Sequence, residues 1–159
     1  MWHEATGQII YDPPRPGMKR RTEWWCILKC DPEITRYYRW WVMKRYGIEL
    51  AQPSWDAHVS IVRGERPPPS TRDLWRRHQG RRLRFRYSHE VVSGAEDEAF
   101  SHYWFVRVDC PEIRAIRDEL GLQTRFPFHL TVGRTYDHQL VPAIAGVPCP
   151  KPLAPPTRR

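Results

Sequence analysis

The chain carries two copies of one pattern, and this repeat constrains the fold more than any other feature. "WCILKCDPEI" starts at Trp25 and "WFVRVDCPEI" starts at Trp104, 79 residues later. Trp, Pro, Glu and Ile coincide, and the strand core stays aliphatic, with Ile27 against Val106. A second echo follows: "DAHVSIVRG" begins at Asp56 and "PFHLTVGRT" at Pro127. Each holds a histidine, one apolar residue, a hydroxyl residue, and an arginine five places after the histidine. The 159 residues suffice for one domain with a real core and are too few for two ordinary ones. Two strand–helix–strand units in such a chain imply two pseudo-symmetric lobes, about 23–63 and 102–135. The expected architecture is therefore α+β and bilobal, with antiparallel sheets around a central cleft.

Local signals agree with this grammar. Asp31 fits an N-cap with Pro32 at the first helical position, and Gly47 fits the stop. Between them Ile34, Tyr37, Tyr38, Trp41 and Val42 form one apolar stripe, and Trp40 and Trp41 read as core or helix–sheet contacts. "PEIRAIRDELG" repeats the helix from Pro111, and a short helix is predicted around 71–78. "TEWWCILKC", residues 57–63, "LRFRYSHEVV", "SHYWFVRVDC" and the stretch from His129 read as strands. Residues 1–22, Pro-rich at their end, read as an arm, and 23–141 as the domain. Residues 142–159, with six prolines, read as an extended or irregular tail.

Charge and composition narrow the class. The net charge of +8 points to a phosphate-bearing partner. The 8 Trp, 7 Tyr and 5 Phe rule out a mainly disordered chain. Cys26, Cys30, Cys110 and Cys149 contain no C-x-x-C pair, so the common zinc spacings fail and reduced cytosolic thiols are expected. The first residues show no basic region followed by an apolar run, and no segment is long and apolar enough to cross a bilayer. The expectation is a cytoplasmic monomer with no membrane and no stable nucleic-acid partner.

The paired motifs carry the chemistry. Alternate strand residues share a face, so His58 and Ser60 point one way, and His129 and Thr131 do likewise. Two opposed imidazoles suit phosphodiester cleavage: the neutral one takes a proton and the protonated one gives one. The hydroxyls can donate to the non-bridging phosphate oxygens. No metal or cofactor is called for. Arg63 and Arg134 suit phosphate, yet their odd spacing from the histidines turns them away in a regular strand. Only a bulge or a strand end brings them back. Tyr11, Trp55 and Tyr136 are candidate nucleobase platforms. His3, His78, His89, His102 and His138 show no partner pattern, and Lys19, Arg20 and Arg21 read as a solvated basic run.

With "HVS" at His58 and "HLT" at His129, the chain resembles the 2H phosphoesterase superfamily over about Glu23 to Thr135. Within it, "RTEWWCILKCD", "ITRYYRWWV", "QPSWDAHVSIVRGERP" and "HLTVGRT" are similar to the bacteriophage anti-CBASS nucleases. The resemblance implies a 2H-like bilobal fold and metal-independent hydrolysis of cyclic di- and trinucleotide immune signals in the host bacterial cytoplasm. It places catalysis on His58, Ser60, His129 and Thr131, and a base contact on Tyr11. Two other activities fit the same residues: an RNA-end 2′,3′-cyclic phosphodiesterase or 2′–5′ ligase-like enzyme, and a non-catalytic module that sequesters nucleotides.

Overall fold

The structure, a computed structural model, describes residues 1–14, 22–53, 55–95 and 101–136. It contains six strands: β1 (Trp2–Tyr11), β2 (Trp25–Lys29), β3 (His58–Arg63), β4 (Arg82–Ala95), β5 (Ser101–Asp109) and β6 (His129–Tyr136). Two helices, α1 (Pro32–Tyr46) and α2 (Pro111–Glu119), follow β2 and β5. All strand pairs are antiparallel, in the closed order β1-β2-β3-β6-β5-β4.

This order overturns the bilobal expectation. The two motif strands do not face one another across a central cleft. They are neighbours in one sheet, bridged at Val59↔Leu130. A repeat predicts a twofold relation between halves, but not whether equivalent strands meet face to face or edge to edge. Strand edges carry unpaired N–H and C=O groups, and pairing β3 with β6 and β1 with β4 removes every edge. The strand order is itself twofold: β1, β2 and β3 mirror β4, β5 and β6. Val59 and Leu130 occupy equivalent places, so the pseudo-twofold axis passes through their bridge.

The arm expected over 1–22 is corrected as well. Trp2–Tyr11 is a full barrel strand, paired with β2 and with β4. Its prolines all follow Tyr11, and only Gly7, Ile9 and Tyr11 are buried on it, so it lacked a strong strand signature. Gly7 is required by the close approach of β2: a Cβ there would lie 2.6 Å from Leu28 Cγ. The tail at 142–159, with Cys149, lies outside the described residues, as do Lys19, Arg20, Arg21 and His138.

Helix α1 forms as its residues dictate. Asp31 Oδ1 accepts from Glu33 N at 2.9 Å, Pro32 opens the first turn, and Gly47 closes it at φ 67°. Tyr38 and Val42 are buried, whereas Tyr37 and Trp40 are exposed, so the predicted stripe is narrower and Trp40 is not a core contact. The short helix predicted around 71–78 is one 3-10 turn, Arg72–Leu74.

The helices pack on one side of the sheet. Tyr38 and Val42 of α1 and Ile113 and Ile116 of α2 join Ile9, Leu28, Val59, Ile61, Leu130 and Val132 in a single core. At roughly 1.5–3 kcal/mol for each fully buried aliphatic side chain, this side holds the sheet and helices together. It leaves the opposite side of β2, β3, β6 and β5 for other work.

Register also corrects the alignment of the two copies. Lys29 lies opposite His58, and Arg107 opposite His129; Trp25 lies opposite Arg63, and Tyr103 opposite Arg134. Trp25 therefore corresponds to Tyr103, not to Trp104, and Ile27 corresponds to Phe105, not to Val106. The second copy has one more residue between strand and helix (Arg107 to Pro111, against Lys29 to Pro32). A slip of one residue reverses the face of every side chain in a strand.

Candidate functional site

The site is built by the seam between β3 and β6. Val59 and Leu130 point into the core and are fully buried. His58, Ser60, His129 and Thr131 are half-buried on the other side. The antiparallel bridge Val59↔Leu130 sets His58 opposite Thr131 and Ser60 opposite His129. The two histidines are then diagonal neighbours, with Cβ atoms about 7–8 Å apart. All four predicted catalytic residues thus share one face around one point.

Each imidazole is anchored in the same way. His58 Nδ1 lies 2.6 Å from the carbonyl of Asp56. His129 hydrogen bonds to the backbone of Pro127, also two residues earlier. An Nδ1–H donated to a carbonyl fixes the tautomer and the ring orientation of His58.

The ring environments differ. Trp25 meets His58 edge-on, with centroids 5.6 Å apart at 90°. Phe105 and Tyr103 lie 5.2 and 6.1 Å from His129. Burial pushes the His129 imidazole below the ordinary histidine range, and the charge of Arg63 adds to this, against the hydrogen bond to Pro127.

Arg63 and Arg134 are brought to this face by two matching bulges. In β3, Cys26 pairs with Val62 and Ile27 with Ser60, so Ile61 has no residue opposite. In β6, Trp104 pairs with Gly133 and Phe105 with Thr131, so Val132 has none. Each bulge follows the hydroxyl residue by one place and changes the parity of what comes after. Arg63 then lies opposite Trp25 and Arg134 opposite Tyr103, on the histidine side. The carbonyl that each bulged residue presents is met by an arginine from the other half. Arg117 Nη1 of α2 donates to Ile61 O at 2.8 Å, and Arg39 Nη1 of α1 donates to Val132 O at 3.2 Å.

The predicted base platforms fare unevenly. Tyr11 is not at the site. It is 4 % exposed, lies opposite Cys26 on the core side, and packs edge-on against Trp75 at 4.9 Å. As the last residue of β1 it alternates with Ile9 and turns inward, which an arm would not have required. Trp55 stands one ring further out, 5.8 Å from Trp25. Tyr136 ends β6 opposite Ser101, and its side chain lies outside the described residues.

Sequence reasoning missed Trp25, Tyr103, Lys29 and Arg107. Their signal was present as aromatic–x–apolar–x–cation in both copies, "WCILK" and "YWFVR", but matching Trp25 to Trp104 concealed it.

Among the described residues, two cavities have linings that include neither His58 nor His129. One of about 260 Å³ is lined by His78, Arg81, Glu112, Ala115, Ile116 and Glu119. There His78 Nε2 is already 2.7 Å from Glu119 Oε2, so this ring nitrogen is hydrogen bonded to a carboxylate. The other, about 50 Å³, runs beside Trp55 and Asp56. Neither cavity holds a set of side chains comparable to the paired histidine–hydroxyl face. Among the described residues, no group of three His, Cys, Asp or Glu side chains is placed to hold a metal ion. No described helix is long and apolar enough to cross a membrane.

The chain matches no protein-family model, no curated protein and no solved structure.

Proposed function

We propose that this chain is a phosphodiesterase that opens 3′–5′ bonds of small cyclic oligonucleotides by two-histidine acid–base catalysis. The observation that carries this reading is the seam at Val59↔Leu130, which sets His58, Ser60, His129 and Thr131 around one point. Its substrate class, the cyclic di- and trinucleotide signals of bacterial antiviral defence, rests on the motif resemblance.

Burial and the charge of Arg63 favour neutral His129, the form a base needs. His129 takes the proton of a ribose 2′-hydroxyl, and that oxygen attacks the adjacent phosphorus. Protonated His58 gives its proton to the departing 5′ oxygen as the P–O5′ bond breaks. The ring opens to a linear product with a 2′,3′-cyclic phosphate end. Water then attacks that phosphate with the two histidines in reversed roles. Ser60 and Thr131 donate to the non-bridging oxygens, and Arg63 and Arg134 offset their charge. Side chains supply both proton transfers and the charge stabilisation, so the scheme runs without a metal.

The test is product analysis by mass spectrometry after incubation with cyclic GMP–AMP, cyclic trinucleotides, and a linear RNA bearing a 2′,3′-cyclic end, with and without EDTA. Linearised cyclic nucleotide in both conditions supports the reading. Turnover of the linear RNA alone moves the protein to RNA-end processing. Binding without any turnover makes it a sequestering module, and turnover abolished by EDTA removes the metal-free scheme.

A further inference from the structure

The histidine face carries a second symmetric pair of residues. Lys29 lies directly opposite His58 on the outer side of β3, and Arg107 directly opposite His129 on the outer side of β6. Directly opposed residues in an antiparallel pair share a face, so both cations are on the histidine side. Both are exposed. They are related by the same pseudo-twofold axis that relates the histidines.

Their position sets what they can meet. The strand sequence β2-β3-β6-β5 places Lys29 and Arg107 three strand spacings across and two residues along from each other, about 16 Å. The scissile phosphate belongs at the centre, between the imidazoles. Each cation stands beyond a histidine, flanking that centre. Gln8 lies opposite Lys29, with Arg82 beyond it, and Arg107 faces the irregular stretch of β4 between Tyr87 and Val91, where its backbone N–H donates to Ser88 Oγ at 3.3 Å. Asp109, next along β5, is hydrogen bonded to Arg86.

We infer that Lys29 and Arg107 are specificity residues that bind the phosphates on either side of the scissile one, so that the site selects ligands with more than one phosphodiester. This rests on the proposed phosphodiesterase reading and adds a recognition element to it. A lysine here acts as a point charge and an arginine as a fork, so the two flanks are not equal. The arginine side holds the more geometrically defined phosphate.

The experiment compares a cyclic trinucleotide, which has one phosphate on each side of the scissile one, with a mononucleoside 2′,3′-cyclic phosphate, using Lys29→Ala, Arg107→Ala and the double variant. Both positions are exposed, so folding tolerates the changes. Each single variant is expected to lower kcat/KM on the trinucleotide about tenfold, chiefly through KM, as the loss of one charge-assisted hydrogen bond. The loss on the mononucleotide should be smaller by at least about fivefold, since its only phosphate sits between the imidazoles. Lys29→Arg, which keeps the charge, should retain most of the trinucleotide activity. Equal losses on both substrates, or none on either, would overturn the inference.

Binding to a His58→Ala background keeps the test independent of turnover. There each added cation removal should lower trinucleotide affinity and make the slope of log affinity against log salt shallower. An unchanged slope would also overturn it. A wild type that cleaves neither substrate, while these slopes still change, would remove the catalytic reading and leave the recognition element standing.

Discussion

Ile61 and Val132 are the same residue of two repeated halves, and each is bulged out of its ladder with its carbonyl bonded to an arginine from the other half's helix. The bulges explain the odd spacing between histidine and arginine in both motifs. They turn Arg63 and Arg134 onto the face that His58 and His129 occupy. The crossed arginines also tie the halves together: α1 of the first half grips β6, and α2 of the second grips β3.

These two contacts differ in weight. Arg117 is fully buried and also bonds Glu65, Thr124 Oγ1 and the carbonyl of Gln123. Arg117→Met is expected to cost about 3–5 kcal/mol, the cost of breaking a buried ion pair. Arg39→Met removes one partly buried hydrogen bond and should cost about 1 kcal/mol. Urea unfolding midpoints with unchanged m-values check both, and equal costs would contradict the asymmetry.

In the proposed mechanism the two histidine–hydroxyl pairs act mainly in the transition state. His58→Ala and His129→Ala should each lower kcat about 10²–10⁴-fold, while ligand affinity stays within about tenfold. Ser60→Ala and Thr131→Val should each lower kcat about 10²-fold, as the loss of one donor to a charged oxygen. Single-turnover rates beside equilibrium binding separate the two effects. A variant that loses binding and keeps its rate would show that the residue holds substrate only.

His129 links stability to pH and, in the proposed mechanism, activity as well. Its folded imidazole titrates below the ordinary value of about 6.5, so the native state binds fewer protons than the unfolded chain just below that pH. The stability it contributes is complete above that value and declines as pH falls through it. His129→Gln should flatten the change in urea midpoint between about pH 7 and pH 5. Arg63→Gln removes a charge that disfavours imidazolium, so the acid limb of kcat/KM should move to higher pH. An acid limb that stays in place would dissociate Arg63 from His129.

Tyr11 faces the core, so Tyr11→Phe should leave KM unchanged and alter stability by about 1 kcal/mol or less. Trp25→Phe, which changes the edge that orients His58, should lower kcat more than it raises KM. Steady-state kinetics on both variants decide between an aromatic that holds the base of the nucleotide and one that holds a histidine.

Much of this was legible in the sequence because it is local or periodic. The caps of α1 were readable at Asp31, Pro32 and Gly47, since capping depends on neighbours a few residues away. His58 with Ser60, and His129 with Thr131, were readable as facing pairs because strand alternation is intrinsic to the backbone. The repeat itself announced two equivalent halves. It did not reveal that Trp2–Tyr11 is the partner of β4, because a strand with three buried residues is recognised by what it pairs with.

Tertiary structure alone decided how the halves meet. Edge pairing of β3 with β6 satisfies backbone groups that a cleft would leave unpaired, and no single-strand pattern encodes that choice. It likewise decided that Arg63 and Arg134 turn toward the histidines. A bulge is a property of two strands in register, stabilised here by arginines that arrive from helices more than fifty residues from Ile61 and more than ninety from Val132.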